Sequence, residues 1–171
     1  FFIKGGQESV MFDEAEFLQQ NGHQIEFFSM HHPQNKENYE YSKYFVDHVE
    51  FSNLGKEYSF VDKVKIAKNF IYNNKSSRLF NSFLLDYKPD IIHCHGIAHQ
   101  ISPSTLLIAK QHKIPVVQTL HDYQLVCPNY TFMISGEKIC GEHKCLKGNY
   151  YNCLINKCIK KSFSASCLGM L

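Results

Sequence analysis

Pro89-Asp90-Ile91-Ile92-His93-Cys94-His95, followed by Ser102-Pro103 and then Ile114-Pro115-Val116-Val117-Gln118-Thr119-Leu120, is the stretch that decides the fold. Pro89 opens a compact apolar run that predicts a strand over 90–95. Ser102 is placed to cap a helix running to about His112, with Pro103 in its first turn. A second apolar run over 114–120 predicts another strand. Strand, helix, strand in so short a space points to a parallel sheet covered on both faces.

Upstream, the same alternation is partly repeated. Phe1 to Ile3 reads as the end of a strand and Gly5-Gly6 as a turn. From Glu8 to about Asn21, Met11, Ala15 and Leu18 recur at helical spacing, joined by Val10 and Phe17. Gly22 supplies the helix stop. Gln24 to Ser29 reads as a strand through Ile25, Phe27 and Phe28, which completes a βαβ unit. His31 to Lys43 is polar and reads as a loop, and Phe45 to Phe51 alternates like a short strand. Val61 to Leu85 carries a helical period through Val64, Ala67, Ile71, Leu79 and Phe83, with Asn73-Asn74 as a break point. After Leu120 the periodicity stops. The stretch 121–158 is rich in Cys, Asn, Tyr and Gly and reads as a long loop or a small inserted subdomain. A helix is expected to begin within 159–171.

Composition narrows the classes. The chain has 171 residues, 44% hydrophobic and 20% charged, with net charge +2. That is an ordinary globular balance, with no basic surplus pointing to nucleic acid. No apolar run nears the ~20 residues of a membrane span, and no signal peptide is recognisable. There are seven cysteines, and an odd count without an export signal favours a reducing compartment. The chain begins on Phe1 and stops at Leu171 without a polar tail, which reads as a domain cut at both ends.

Four sets of residues could carry chemistry. Gly5-Gly6, between a strand and a helix, would let a diphosphate approach the backbone at the positive helix end. A β-branched residue at Gly6 is expected to crowd that diphosphate and strain the turn. His93 and His95 sit at the carboxyl end of a strand, where ligands of open α/β sheets bind, and period two puts both on one side. His121, after the next strand, could contact a ligand hydroxyl or a leaving group, with Asp122 tuning it, and Asp122 and Tyr123, like His95, are candidate substrate-binding residues. Cys127, Cys140, Cys145 and Cys158 could hold a structural zinc, with Cys153 or His143 as substitute ligands. Cys94 and Cys167 are expected to be ordinary thiols. Two rival readings use the same residues: a metal-dependent hydrolase built on His93, His95, His121 and Asp122, and a non-catalytic zinc-stabilised interaction module over 127–158.

Several runs, in their order, resemble the N-terminal subfamily-4-like domain of family-4 glycosyltransferases from bacterial polysaccharide biosynthesis. They are Lys4-Gly5-Gly6-Gln7-Glu8, Gly22-His23-Gln24-Ile25, Phe28-Ser29-Met30, Lys88 to His95, Pro115 to Tyr123, and Val126-Cys127-Pro128-Asn129. The resemblance implies an α/β, Rossmann-like parallel sheet with helices on both faces. This would be the acceptor-side, N-terminal half of a GT-B fold over 1–171, with the Cys-rich stretch 121–158 inserted. It implies a retaining transfer from a nucleotide-sugar donor to a saccharide or lipid-linked acceptor, with no catalytic metal. A C-terminal domain would bind most of the nucleotide-sugar, so this chain alone is expected to be inactive. By the resemblance Gly6 approaches the donor diphosphate, His121 reaches the transferred sugar, and His95 lies on the acceptor side. The implied location is the cytoplasm, at the inner face of the plasma membrane. The implied partners are the acceptor and the C-terminal domain, with no nucleic acid.

Overall fold

The computed structural model describes residues 2–35, 39–48, 68–69, 72–97, 101–141 and 144–170. It divides into two compact units, Phe1–Thr119 and Leu120–Leu171.

In the first unit, α1 spans Gly6–Gln20. Met11, Ala15 and Leu18 turn inward as their spacing predicts, with Ala15 buried, whereas Val10 and Phe17 are exposed. Val10 and Phe17 thus do not belong to the packing stripe; they lie off the i, i+4, i+7 line that Met11 sets. The helix ends as expected at Gly22 (φ +88°). The Gly22 N–H donates to the Gln19 carbonyl and the His23 N–H to that of Leu18. This paired closure needs a left-handed residue at Gly22.

The βαβ unit expected at the start does not form as a ladder. Among the described residues, 2–3 and 24–29 carry no strand pairing. What remains is one parallel bridge between Met30 and Val46. The strand expected over Phe45–Phe51 is reduced to Val46 in that bridge; its last three residues lie outside the described set. A short 3-10 turn, Glu40–Tyr44, precedes it.

Helix α2 spans Asn74–Tyr87. Its start confirms the break at Asn73-Asn74, because the Asn73 side chain accepts from the Ser76 N–H and satisfies a free first-turn donor. Of the upstream half of the predicted 61–85 helix, 61–67, 70 and 71 lie outside the described residues. Strand β1 is Ile92–His95, helix α3 Ser104–Gln111 and strand β2 Val116–Thr119. The two strands pair in parallel, from Ile92 opposite Val116 to His95 opposite Thr119. The cap of α3 falls one residue later than expected. Ser102 takes a left-handed φ of +76°, its carbonyl accepts from the Thr105 hydroxyl and its own hydroxyl accepts from the Ser104 N–H. Val116 and Val117 in β2 are exposed, so β2 is not the buried strand its sequence suggests. Among the described residues it pairs along one edge, with β1.

The core of this unit is Phe80, Phe83 and Leu84 of α2 against Ala109 of α3, with Phe28, Tyr41 and Ile92 packed around it. Phe28 meets Phe80 edge-on at 4.9 Å between ring centroids. Burying each large side chain here contributes about 1.5–3 kcal/mol. Where the N-terminal ends of α2 and α3 approach, the contact is a seam of buried small residues, with Ser77 and Ser104 hydroxyls 2.9 Å apart. Small side chains allow that approach, and their mutual hydrogen bond offsets the loss of water.

In the second unit, β3 (Met133–Ile134) and β4 (Lys138–Ile139) form an antiparallel hairpin. Its turn uses positive φ at Ser135 and Gly136. A 3-10 turn (Lys144–Lys147) and two short helices follow, α4 (Tyr151–Ile155) and α5 (Phe163–Leu168). Helix α5 is the expected C-terminal helix, capped by the Ser162 hydroxyl accepting from the Ala165 N–H. Cys145, Cys153 and Cys158 form the core, with Ile134, Tyr150 and Ile159 packed on it. Gly169 fits closely: a Cβ there would come within 2.3 Å of Ile159 Cδ1 and 3.1 Å of the Pro128 carbonyl.

Candidate functional site

In the first unit the chemistry gathers at β1 and the face of α1 that packs on it. His93 and His95 share one side of β1, as period two predicts, with ring centroids 4.3 Å apart. A third residue joins them that the strand pattern does not announce: Glu14 of α1. Its Oε2 lies 3.3 Å from His95 Nε2 and 3.6 Å from His93 Nδ1. That oxygen is shielded from water and makes no hydrogen bond in this arrangement. His93 Nε2 is 2.7 Å from Thr119 Oγ1 at the end of β2. Among the described residues, Glu14, His93 and His95 are the group whose ligand atoms all lie within 4.8 Å of one another.

Glu14 left a signal in the sequence. Positions 11, 14, 15 and 18 are the inward stripe of α1, and a carboxylate on such a stripe requires a partner. Gly96, directly after β1, is also part of the arrangement. It has a left-handed φ of +55°, and a Cβ on it would come within 2.0 Å of the Gln7 amide. The first turn of α1 therefore packs on the carboxyl end of β1 beside a left-handed position that favours glycine.

Gly5 is the N-cap of α1 and Gly6 its first residue, so the helix begins two residues before the Glu8 start expected. Gly5 is extended (φ −165°) and its N–H donates to the Glu8 carboxylate at 2.9 Å. Nothing lies within 4 Å of a Cβ built on Gly6. Neither glycine has positive φ, which corrects the expectation that a larger residue at Gly6 would strain the turn. What the small residue leaves is open space beside the free N–H groups of the first helical turn.

In the second unit, His121 follows the end of β2 by two residues and is exposed. Asp122 Oδ1 accepts from the Gln124 N–H at 2.9 Å, so this carboxylate shapes the local turn. Tyr123 donates its N–H to the Tyr130 carbonyl, its own carbonyl accepts from Val126 and Cys127, and its ring lies 4.6 Å from that of Phe132. His121 thus stands at the mouth of a hydrogen-bonded loop.

Cys127, Cys140, Cys145, Cys153 and Cys158 are all buried, and Asn152 reaches the Cys140 sulfur at 4.0 Å. Burial pushes the Cys145 and Cys158 thiols up. Burial and then the neighbouring Cys158 push Cys153 up to about 12. As placed, no three of these sulfurs lie within 4.8 Å of one another. His143 lies outside the described residues. Cys94, buried in β1, is pushed up to about 11 by burial and fits the expectation of an inert thiol. Cys167 is exposed. No described helix is long and apolar enough to cross a membrane.

A parallel strand–helix–strand core with a glycine-led helix packed on it defines a Rossmann-like α/β domain. The sequence matches Glycosyltransferase Family 4 over residues 4–156, and the chain belongs to that family. It is also 27% identical, over 140 residues, to an uncharacterized 42.6 kDa protein in the cps region of Klebsiella pneumoniae. That alignment covers 79% of this chain and 37% of the relative, so the chain spans little more than a third of that protein's length. No solved structure matches. Family membership sets aside the hydrolase reading. The match also includes most of 127–158.

Proposed function

We propose that this chain is the acceptor-side half of a retaining glycosyltransferase that moves a sugar from a nucleotide-sugar to a saccharide or lipid-linked acceptor in surface polysaccharide biosynthesis. The observation that carries the proposal is the family match over nearly the whole chain, and the cps-region relative supports the polysaccharide context. The nucleotide-sugar is a co-substrate held mostly by a C-terminal domain, and the reaction takes place in the cytoplasm at the inner membrane face. No catalytic metal enters the transfer.

Within the chain, Gly5 and Gly6 leave room at the start of a 15-residue helix, where unpaired N–H groups and the helix dipole stabilise a departing diphosphate. Glu8 already takes the Gly5 N–H, so the diphosphate is left the donors that follow. His121 contacts the transferred sugar, with Asp122 and Tyr123 fixing its loop, and His95 lies on the acceptor side. Cys127, Cys140, Cys145 and Cys158 pin the second unit with a structural zinc. Holding four sulfurs at about 2.3 Å from one ion requires them to close inward from their present packing.

The test is His121→Ala in the full-length enzyme. With the fold intact by circular dichroism, kcat is expected to fall by at least about a hundredfold, the usual scale for a group acting at the reacting centre. Near-normal turnover removes His121 from the site. The 171-residue chain alone is expected to release no nucleoside diphosphate in the presence of acceptor.

A further inference from the structure

We infer that Glu14, His93 and His95 form a binding site for a divalent transition cation of the zinc class, with three protein ligands and one open position. The site shares His95 with the proposed acceptor side, but its geometry is argued from α1 and β1 alone and does not depend on that reading.

The distances argue for it. Two ligand atoms at about 2.0–2.1 Å from one tetrahedral ion are about 3.3–3.4 Å apart. Glu14 Oε2 stands 3.3 Å from His95 Nε2 and 3.6 Å from His93 Nδ1, and all three atoms fall within 4.8 Å of one another. A direct ion pair explains the arrangement less well. Oε2 itself is shielded and accepts no hydrogen bond from either ring, although the Glu14 side chain as a whole is 42% exposed, and a shielded carboxylate oxygen without a donor is costly. A cation between the three atoms removes that cost and needs only small shifts. The surroundings of His93 fit as well. Its Nε2 is engaged with the Thr119 hydroxyl at 2.7 Å, which leaves Nδ1 facing Glu14. Metal-bound histidines are commonly oriented in this way through the second ring nitrogen. Two neutral imidazoles and one carboxylate suit zinc better than calcium or magnesium, which prefer oxygen. The ligands come from α1 and β1, so the ion would tie the glycine-led helix to the sheet.

The experiment uses the whole chain after chelator treatment, titrated with zinc by calorimetry and with cobalt(II) by absorption spectroscopy. Expected in the Cys145→Ser/Cys158→Ser background is a nitrogen–oxygen site whose cobalt d–d bands come without sulfur charge-transfer absorption, whereas in the parent any thiolate-bound cobalt adds sulfur charge-transfer bands of its own. Its affinity should fall by about a hundredfold or more in Glu14→Gln, which preserves side-chain shape. Thr119→Val, which leaves all three ligands in place, should lower affinity about tenfold by releasing the His93 ring. The double variant Cys145→Ser/Cys158→Ser should retain the site, which separates it from any thiolate-bound metal. His95→Ala should abolish binding at this site, and if that variant fails to fold, the Glu14 and Thr119 variants still decide. The inference is overturned if the chain takes up no zinc, if folded Glu14→Gln binds as tightly as the parent, or if all binding disappears with the two cysteines.

Discussion

Gly96→Ala should destabilise the first unit by about 2–3 kcal/mol, and part of that cost should disappear when Gln7 is shortened. Two effects are separable. Gly96 has φ +55°, and placing an L side chain in the left-handed region costs about 1–2 kcal/mol. The new Cβ would also sit 2.0 Å from Gln7 Nε2 and 2.8 Å from Gln7 Cδ and Oε1. Those atoms are the far end of a flexible side chain, so the amide swings away rather than forcing the backbone apart. An off-rotamer or lost contact of that kind costs about 0.5–1.5 kcal/mol. Urea denaturation of the single variants Gly96→Ala and Gln7→Ala and of the double variant gives the cycle. The double variant should recover about 0.5–1.5 kcal/mol relative to additivity, the coupling expected of residues in contact. If Gly96→Ala is neutral, the left-handed geometry at the end of β1 is refuted. If the two substitutions add without coupling, the packing of the first turn of α1 on Gly96 is refuted.

Gly6→Val should leave the urea midpoint nearly unchanged, because its Cβ meets no atom within 4 Å and valine is no worse than glycine in a helix. In the full-length enzyme it should weaken the nucleotide-sugar more than the acceptor in calorimetry, and equal losses would remove Gly6 from the donor site. The cysteine core predicts an alkaline weakness. Cys153 is raised from an ordinary 9.0 to about 12 by burial and by Cys158. The folded state therefore holds its proton more tightly than the unfolded chain. The associated stability is complete below pH 9 and is lost as pH rises toward 12, which thermal melts of metal-free chain across that range should show. Saturating zinc should reverse the dependence if the thiols bind it, since metal-bound thiolates are lost on acidification instead. An alkaline decline unaltered by zinc would exclude the thiolate site.

How much of this was legible depends on whether a residue's role is local. Asn73 caps, Gly22 stops a helix, and 92–95 and 116–119 are strands for reasons written in their own neighbourhoods, and the sequence shows all of them. The 24–29 run has equally good strand composition, with Ile25, Phe27 and Phe28, yet pairs only at Met30. A strand is a property of two segments, and composition reports on one. The second unit was opaque for a different reason. Its two-residue strands are too short to show alternation, and its core atoms are largely sulfur, which reads as metal ligand or thiol before it reads as packing.

Glu14 shows where the two kinds of information have to be joined. Helical periodicity places it beside Met11, Ala15 and Leu18, where an apolar residue belongs, and by that criterion it is an exception. Strand periodicity places His93 and His95 on one side of β1, and by that criterion they are a pair with no stated purpose. Each pattern is incomplete alone. A carboxylate on an inward helical stripe must be compensated, and two imidazoles on one side of a strand provide groups able to compensate it, directly or through a cation. Three-residue packing of α1 on β1 is what turns two anomalies into one site. A stripe-breaking acid and a same-side histidine pair within one βα layer are therefore a joint signal, and Glu14→Leu tests it. If the acid merely tolerated its position, leucine would restore the apolar stripe and raise stability. If the acid is held for the histidines, leucine should leave them without their shared partner, and zinc should no longer raise the melting temperature.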